Sequence, residues 1–191
     1  MVGGPLNEQK FQVEDIVREF MATLPTEDMP SEALEKTPGR YRAALEEMTA
    51  GYVVDPKAIL DAVFQADCDE MIIVRSLPFW SLCEHHLLPF FGSATVGYIP
   101  SSGRVVGLSK IARLVECFSR RLQMQERMTR QIGEALCEHL APIGVGVLVW
   151  GRHMCMETRG VKTSAETVTS FMKGKMRDDD KVRAEFLRLA R

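Results

Sequence analysis

The 191-residue sequence predicts one α+β domain, and three observations predict it. Apolar residues recur at helical spacing through the N-terminal third. Strand-like runs begin only after Asp69, and two strongly periodic helices then separate those runs from a later apolar strand. Elements that segregate in this way, rather than alternating one for one, mark α+β architecture. The expected boundary divides an N-terminal helical region, residues 1–69, from residues 70–191, which carry an antiparallel sheet and its two adjacent helices.

In chain order, the first helix is expected over residues 8–24, where Val13, Ile16, Val17, Phe20 and Leu24 recur at three- and four-residue steps. Residues 25–30 form a breaker-rich loop, and a short helix starts at Ser31. Thr37-Pro38 reads as an N-cap followed by proline at the first helical position, with Gly51 as the stop. Asp55-Pro56 repeats that signal for a helix reaching about Phe64. Residues 71–74 and 93–99 read as strands. The second turns at Pro100 into a return strand over residues 104–106, so a hairpin between them is expected. The helix after Ser109 aligns Ile111, Leu114, Val115, Phe118 and Leu122, and the next, residues 125–139, turns Met128, Ile132, Ala135, Leu136 and Leu140 inward. Residues 145–150 read as a buried strand running on into His153 and Cys155. Asp178-Asp179-Asp180 suits the N-terminus of a last helix carrying Val182, Phe186 and Leu189.

Hydrophobic residues make up 46% and charged residues 26%, a globular composition that excludes disordered and collagen-like classes. No apolar run approaches the roughly 18 residues of a membrane span. Five cysteines, an odd number without framework spacing, and an N-terminus lacking a signal-peptide pattern predict a reduced, cytoplasmic protein. The net charge of −2 hides an asymmetry: residues 1–99 carry 7 basic and 16 acidic side chains, residues 100–191 carry 17 and 10. The basic half suits an anionic ligand. Its basic residues share helices with acids and lack an aromatic stacking array, which argues against nucleic acid.

Three of the four histidines, His85, His86 and His153, lie beside Cys83 or Cys155. Cys and His are preferred zinc donors, and Cys83, His86 and Cys155 make a three-ligand set that leaves one position open. On an extended strand the odd residues from Val145 through His153, Cys155, Glu157 and Arg159 would share a face. The residues alone also fit buried thiols beside hydrogen-bonded histidines. Lys110 and Arg113 share a face in the first turn of a helix, where free N–H groups and positive charge suit an anion or, equally, a solvated surface. Arg40 and Arg159 are further candidates for that anion. Gln125-Glu126 opens the next helix; a carboxylate there fits the helix dipole, and also the N1–H and 2-amino edge of guanine. Cys68, Cys117 and Cys137 read as ordinary core or surface residues.

Together, Cys83-Glu84-His85-His86, residues 94–100, Gly107-Leu108-Ser109-Lys110-Ile111, Gln125-Glu126-Arg127, His153-Met154-Cys155 and Arg159-Gly160-Val161 resemble the zinc-dependent type I GTP cyclohydrolases, from about Thr37 to the C-terminus. The resemblance implies a tunnelling fold (T-fold), in which small α+β subunits join their sheets, and a homodecamer with active sites between subunits. It implies Zn2+ held by Cys83, His86 and Cys155, with His85 and His153 as the acid–base pair. Glu126 and Gln125 would hold the guanine of GTP, Ser109 would lie near the ribose, and Lys110, Arg113, Arg159 and Arg40 would bind the triphosphate. The implied reaction opens the guanine imidazole ring, releases formate and forms 7,8-dihydroneopterin triphosphate. Alternatives are another tunnelling-fold purine or pterin enzyme, or a non-catalytic zinc-stabilised binding protein. Members of the family often carry lysine three residues beyond the arginine at Arg40, where this chain has Ala43. Arg42 offers partial compensation from a different helix direction.

Overall fold

The computed structural model describes residues 10–190, so the expected helix start at Glu8 lies outside the described residues. The chain forms two compact units, one ending at Glu47 and the other beginning at Met48. The first holds α1 (Lys10–Ala22) and nearly all of α2 (Ser31–Met48). The break expected at Thr37 does not occur, because α2 runs straight through a buried Pro38. Proline already has a helical φ and forfeits one backbone bond, a loss of about 3 kcal/mol that the strong helix formers Glu, Ala, Leu and Lys on either side offset. Arg42 bridges the helices, reaching Glu14 at 2.7 Å and Glu46 at 2.8 Å.

In the second unit, Asp55 caps α3 (Pro56–Ile59) by accepting from the Lys57 N–H. This helix stops after one turn instead of reaching Phe64, because Val63–Gln65 leaves as β1. Here a second expectation fails. The return strand β4 (Arg104–Val106) pairs with β1, not with the strand preceding it. That preceding strand, β3 (Pro89–Ile99), has both edges taken, by β2 (Ile72–Cys83) and by β6 (Gly144–His153). Beyond β6 lies β7 (Glu166–Gly174), and β5 (Leu122–Gln123) pairs in parallel with the end of β2. The five-stranded order is β5-β2-β3-β6-β7.

Two layers of helix cover this sheet. On one face, α4 (Leu108–Ser119) and α5 (Gln125–Leu140) bury Ile111, Leu114, Val115, Phe118, Met128, Ile132 and Leu136 against Val96, Tyr98, Val145, Val147 and Val149. These are the faces expected from the sequence, except that Leu122 falls in β5, beyond the end of α4. On the other face, the one-turn α7 (Lys175–Asp178) leads into α8 (Asp180–Leu189), capped by Asp179. Phe186 of α8 lies over the paired strand residues Gly97 and Gly146, where an added Cβ would approach its ring to 2.7 and 2.8 Å. No helix among the described residues is long and apolar enough to cross a membrane.

One irregularity sets the direction of β2. Between Val74, opposite Val96, and Leu77, opposite Ala94, β2 carries one extra residue, with Ser76 at φ 58°. Side chains alternate with period two, so this bulge exchanges the faces. Ile72 and Val74 face α4 and α5 before it; Leu77, Phe79 and Cys83 do so after it.

Candidate metal centre and active site

Cys83 is the last residue of β2, His85 and His86 follow in a tight turn, and Cys155 lies in the one-turn helix α6 (Met154–Glu157). The expected continuous strand through Cys155 and Arg159 is thus corrected. The odd-residue face holds from Val145 to His153, and α6 then curls the chain so that Cys155 returns towards Cys83. One donor atom from each of Cys83, His86 and Cys155 lies within 4.8 Å of the others, a group able to hold a metal ion. The Cys83 Sγ is 3.5 Å from His86 Nδ1 and 3.8 Å from His85 Nδ1. Burial and the neighbouring Cys83 sulfur push the Cys155 thiol up, while the positive charge of Arg159 opposes them. Two sulfurs and an imidazole placed this closely favour a cation between them. Cys117 and Cys137 also have thiols raised, chiefly by burial, and stand apart from this group.

The turn is held from α5. Glu84 forms an ion pair with Arg127, and the guanidinium holds its carboxyl below the usual range. Arg127 Nε also donates to Gln123 Oε1 at 3.0 Å, and the Glu84 N–H donates to the Gln123 carbonyl at 3.1 Å. Sequence reading assigned no role to Glu84 or Arg127, although both lie inside the motifs it singled out.

His153 ends β6 directly opposite Phe90, and the two rings stack with centroids 4.7 Å apart and planes 2° from parallel. Its Nε2 is 2.9 Å from Gln125 Oε1. Burial pushes the imidazole below its ordinary range, against the charges of Glu126 and Glu157. Glu126, in the first turn of α5, is exposed, whereas Gln125 is buried at 1% exposure.

Arg159, in the bend after α6, lies close enough for its charge to act on Cys155, whereas the candidates on α4 stand elsewhere in the same unit. The β4–α4 junction sits at the Tyr98 end of the sheet, where the Val106 N–H donates to Tyr98 Oη at 3.0 Å. The far end of α4 meets β2 near Cys83, where Ser81 Oγ donates to the Arg121 carbonyl at 3.2 Å. Twelve helical residues span roughly 18 Å. Ser109 and Lys110 therefore begin α4 at the end of the sheet away from Cys83 and His153, while Arg113, halfway along the helix, lines a cavity with Phe79 and Trp80 of β2, and among the described residues no hydrogen bond or ion pair links the three to that group. Lys110 Nζ is 3.9 Å from Asp61. Arg40 belongs to the first unit, 3.9 Å from Glu32. Arg42, the expected substitute for the missing lysine, is already paired with two carboxylates.

An α+β unit whose sheet ends in a thiol–imidazole group able to hold a metal ion, with a half-buried imidazole and an exposed carboxylate beside it, has the side-chain set of a candidate enzyme active site. A profile described as GTP cyclohydrolase I matches residues 13–191. GTP cyclohydrolase 1 of Janthinobacterium sp. (strain Marseille) is 48% identical over 191 residues, covering 98% of this chain and 94% of the relative. That of Campylobacter lari is 53% identical over 165 residues, covering 85% and 86%. That of Nitrosospira multiformis is 48% identical over 187 residues, covering 96% of each. The chain belongs to the GTP cyclohydrolase I family, and its sheet with two adjacent helices is that family's tunnelling fold.

Replacing Arg127 with methionine keeps the aliphatic stem and removes the clamp on Glu84. Affinity for a divalent metal should fall on the order of 10–100-fold, as when other supports of metal ligands are removed. Competition with a chromophoric chelator measures this, and unchanged affinity would show that the turn holds itself.

Proposed function

We propose that this enzyme opens the imidazole ring of GTP by hydrolysis, releasing C8 as formate and yielding 7,8-dihydroneopterin triphosphate. The observation that carries the reading is the convergence of Cys83, His86, Cys155 and His153 at one end of the sheet, in a chain matched to the family over residues 13–191. The donor chemistry fits Zn2+. Tetrahedral ligands 2.0–2.3 Å from one ion lie roughly 3.3–3.8 Å apart, and the 3.5 Å between Cys83 Sγ and His86 Nδ1 falls in that interval. Three protein donors leave one coordination position for water, as catalytic zinc sites do. Zinc held there would supply Lewis-acid chemistry, lowering the pKa of a water from about 15.7 to about 7.

The protein groups do the rest. Glu126 accepts from N1–H and the 2-amino group, fixing the purine edge, and a charged acceptor makes these bonds strong. His153 gives a proton to N7, which withdraws electrons from C8 and makes it attackable by water. His85, exposed beside Cys83, moves the proton that lets the C8–N9 bond break. A second water cleaves the formyl group, the ribose opens and rearranges, and ring closure returns one water, so one water is consumed overall. Lys110, Arg113, Arg159 and Arg40 hold the triphosphate, and Ser109 lies near the ribose. Because the start of α4 is remote from His153 within one chain, Ser109 and Lys110 are supplied by a second copy of the chain. That requirement supports the decamer with active sites between subunits.

Purified protein incubated with GTP should release formate and a product that fluoresces as a pterin after oxidation. A chelator should abolish both, and zinc should restore them. No formate from a zinc-loaded, assembled sample would overturn the reading. The shared site has its own test. His153→Ala and Lys110→Ala should each be inactive alone, whereas randomly mixed assemblies should regain about a quarter of wild-type turnover, because each interface pairs different chains. Mixed assemblies no more active than either variant would place all these groups in one chain.

A further inference from the structure

Gln125 makes the contacts that fix His153. Its Nε2 donates to the Val149 carbonyl at 3.0 Å and the Thr167 carbonyl at 2.9 Å, with Thr169 Oγ1 at 3.2 Å. A backbone carbonyl can only accept, so the amide NH2 must point at these two and the amide oxygen must point the other way, at His153 Nε2. That oxygen in turn can only accept, so Nε2 carries the hydrogen. At 1% exposure, and with both its amide nitrogen and its amide oxygen engaged within the protein, Gln125 is turned away from any purine in solvent. Gly151 completes the arrangement, since a Cβ at that position would collide with Gln125 Oε1. Phe90 stacked on the imidazole fixes the plane of the ring.

We propose that Gln125 is a positioning residue that holds His153 in the Nε2–H tautomer, and that Glu126 alone of the pair reads the guanine edge. The inference rests on the GTP reading for its catalytic consequence, while the tautomer itself does not depend on it. Three consecutive residues at 100° steps around the start of α5 thus divide the work: Gln125 turns inward to His153, Glu126 faces solvent, and Arg127 grips the metal-bearing turn.

Two variants test this, each checked for zinc content and assembly. Gln125→Met removes the acceptor, and Gly151→Ala displaces it while leaving Gln125 itself intact. Each should lower kcat on the order of 10–100-fold, the scale of a misplaced catalytic group. The KM for GTP should stay within about two-fold, and the preference for GTP over ITP, which lacks the 2-amino group, should persist, because the purine contacts are untouched. Glu126→Gln should instead erode that preference. Solid-state NMR of the zinc-loaded protein labelled with 15N-histidine gives a readout independent of turnover. Wild-type His153 should show the Nε2–H tautomer, and both variants should lose its dominance. A rise in KM with unchanged kcat, a lost GTP preference in Gln125→Met, or an Nδ1–H tautomer in the wild type would overturn the proposal. Absence of wild-type turnover with the Nε2–H tautomer intact would instead defeat the GTP reading and leave the positioning role supported.

Discussion

Side chains on a strand alternate with period two, and the position of Cys83 depends on that constraint being broken once. Without the extra residue between Val74 and Leu77, the even-numbered residues of β2 would go on facing α4 and α5, and Cys83 would fall on the face covered by α8. The bulge returns Leu77, Phe79 and Ser81 to the α4 side and delivers Cys83 beside the start of α5. Everything in the site follows from this placement. β5 pairs with the last residues of β2, so α5 must begin next to Cys83. The register of β3 with β6 brings His153 opposite Phe90, near the same end.

The site is then held by groups that satisfy one another. Gln125 joins α5 to β6 and β7 through acceptors that would otherwise be left without that donor, and buried amides are costly to leave unpaired. Arg127 ties the same helix to the turn carrying His85 and His86. The metal donors and the imidazole therefore share one support, the first turn of α5. Ser109 and Lys110 lie apart from it, at the start of α4, so the proposed reaction requires a second copy of the chain.

The helices α4 and α5 were legible because their apolar residues repeat at helical spacing over three or more turns, and the inward faces named from that pattern are the buried ones. β6 was legible as far as His153, since its valines alternate, but no local pattern announced that α6 would curl Cys155 back. β2 was cut short at Val74 because the bulge interrupts the period on which the reading relied. β7 escaped notice altogether: Glu166-Thr167-Val168-Thr169-Ser170 is a polar alternation, and pairing with β6 rather than its own composition makes it a strand. At the site, residue types pointed to Cys83, His86 and Cys155, which the structure brings together, whereas no local pattern announced the hydrogen bonds of Gln125. Its actual partners, Val149, His153 and Thr167, are 24 to 42 positions away in sequence, and only the sheet brings them to it. Pro38 shows the opposite error, a strong local signal overridden by the helix formers around it.

The most direct test of the account is X-ray absorption at the zinc edge of the metal-loaded enzyme. Convergence of Cys83, His86 and Cys155 predicts two sulfurs at about 2.3 Å, one imidazole nitrogen at about 2.0–2.1 Å and one further light atom in the open position. A shell with no sulfur, or with sulfur from a third cysteine, would contradict it.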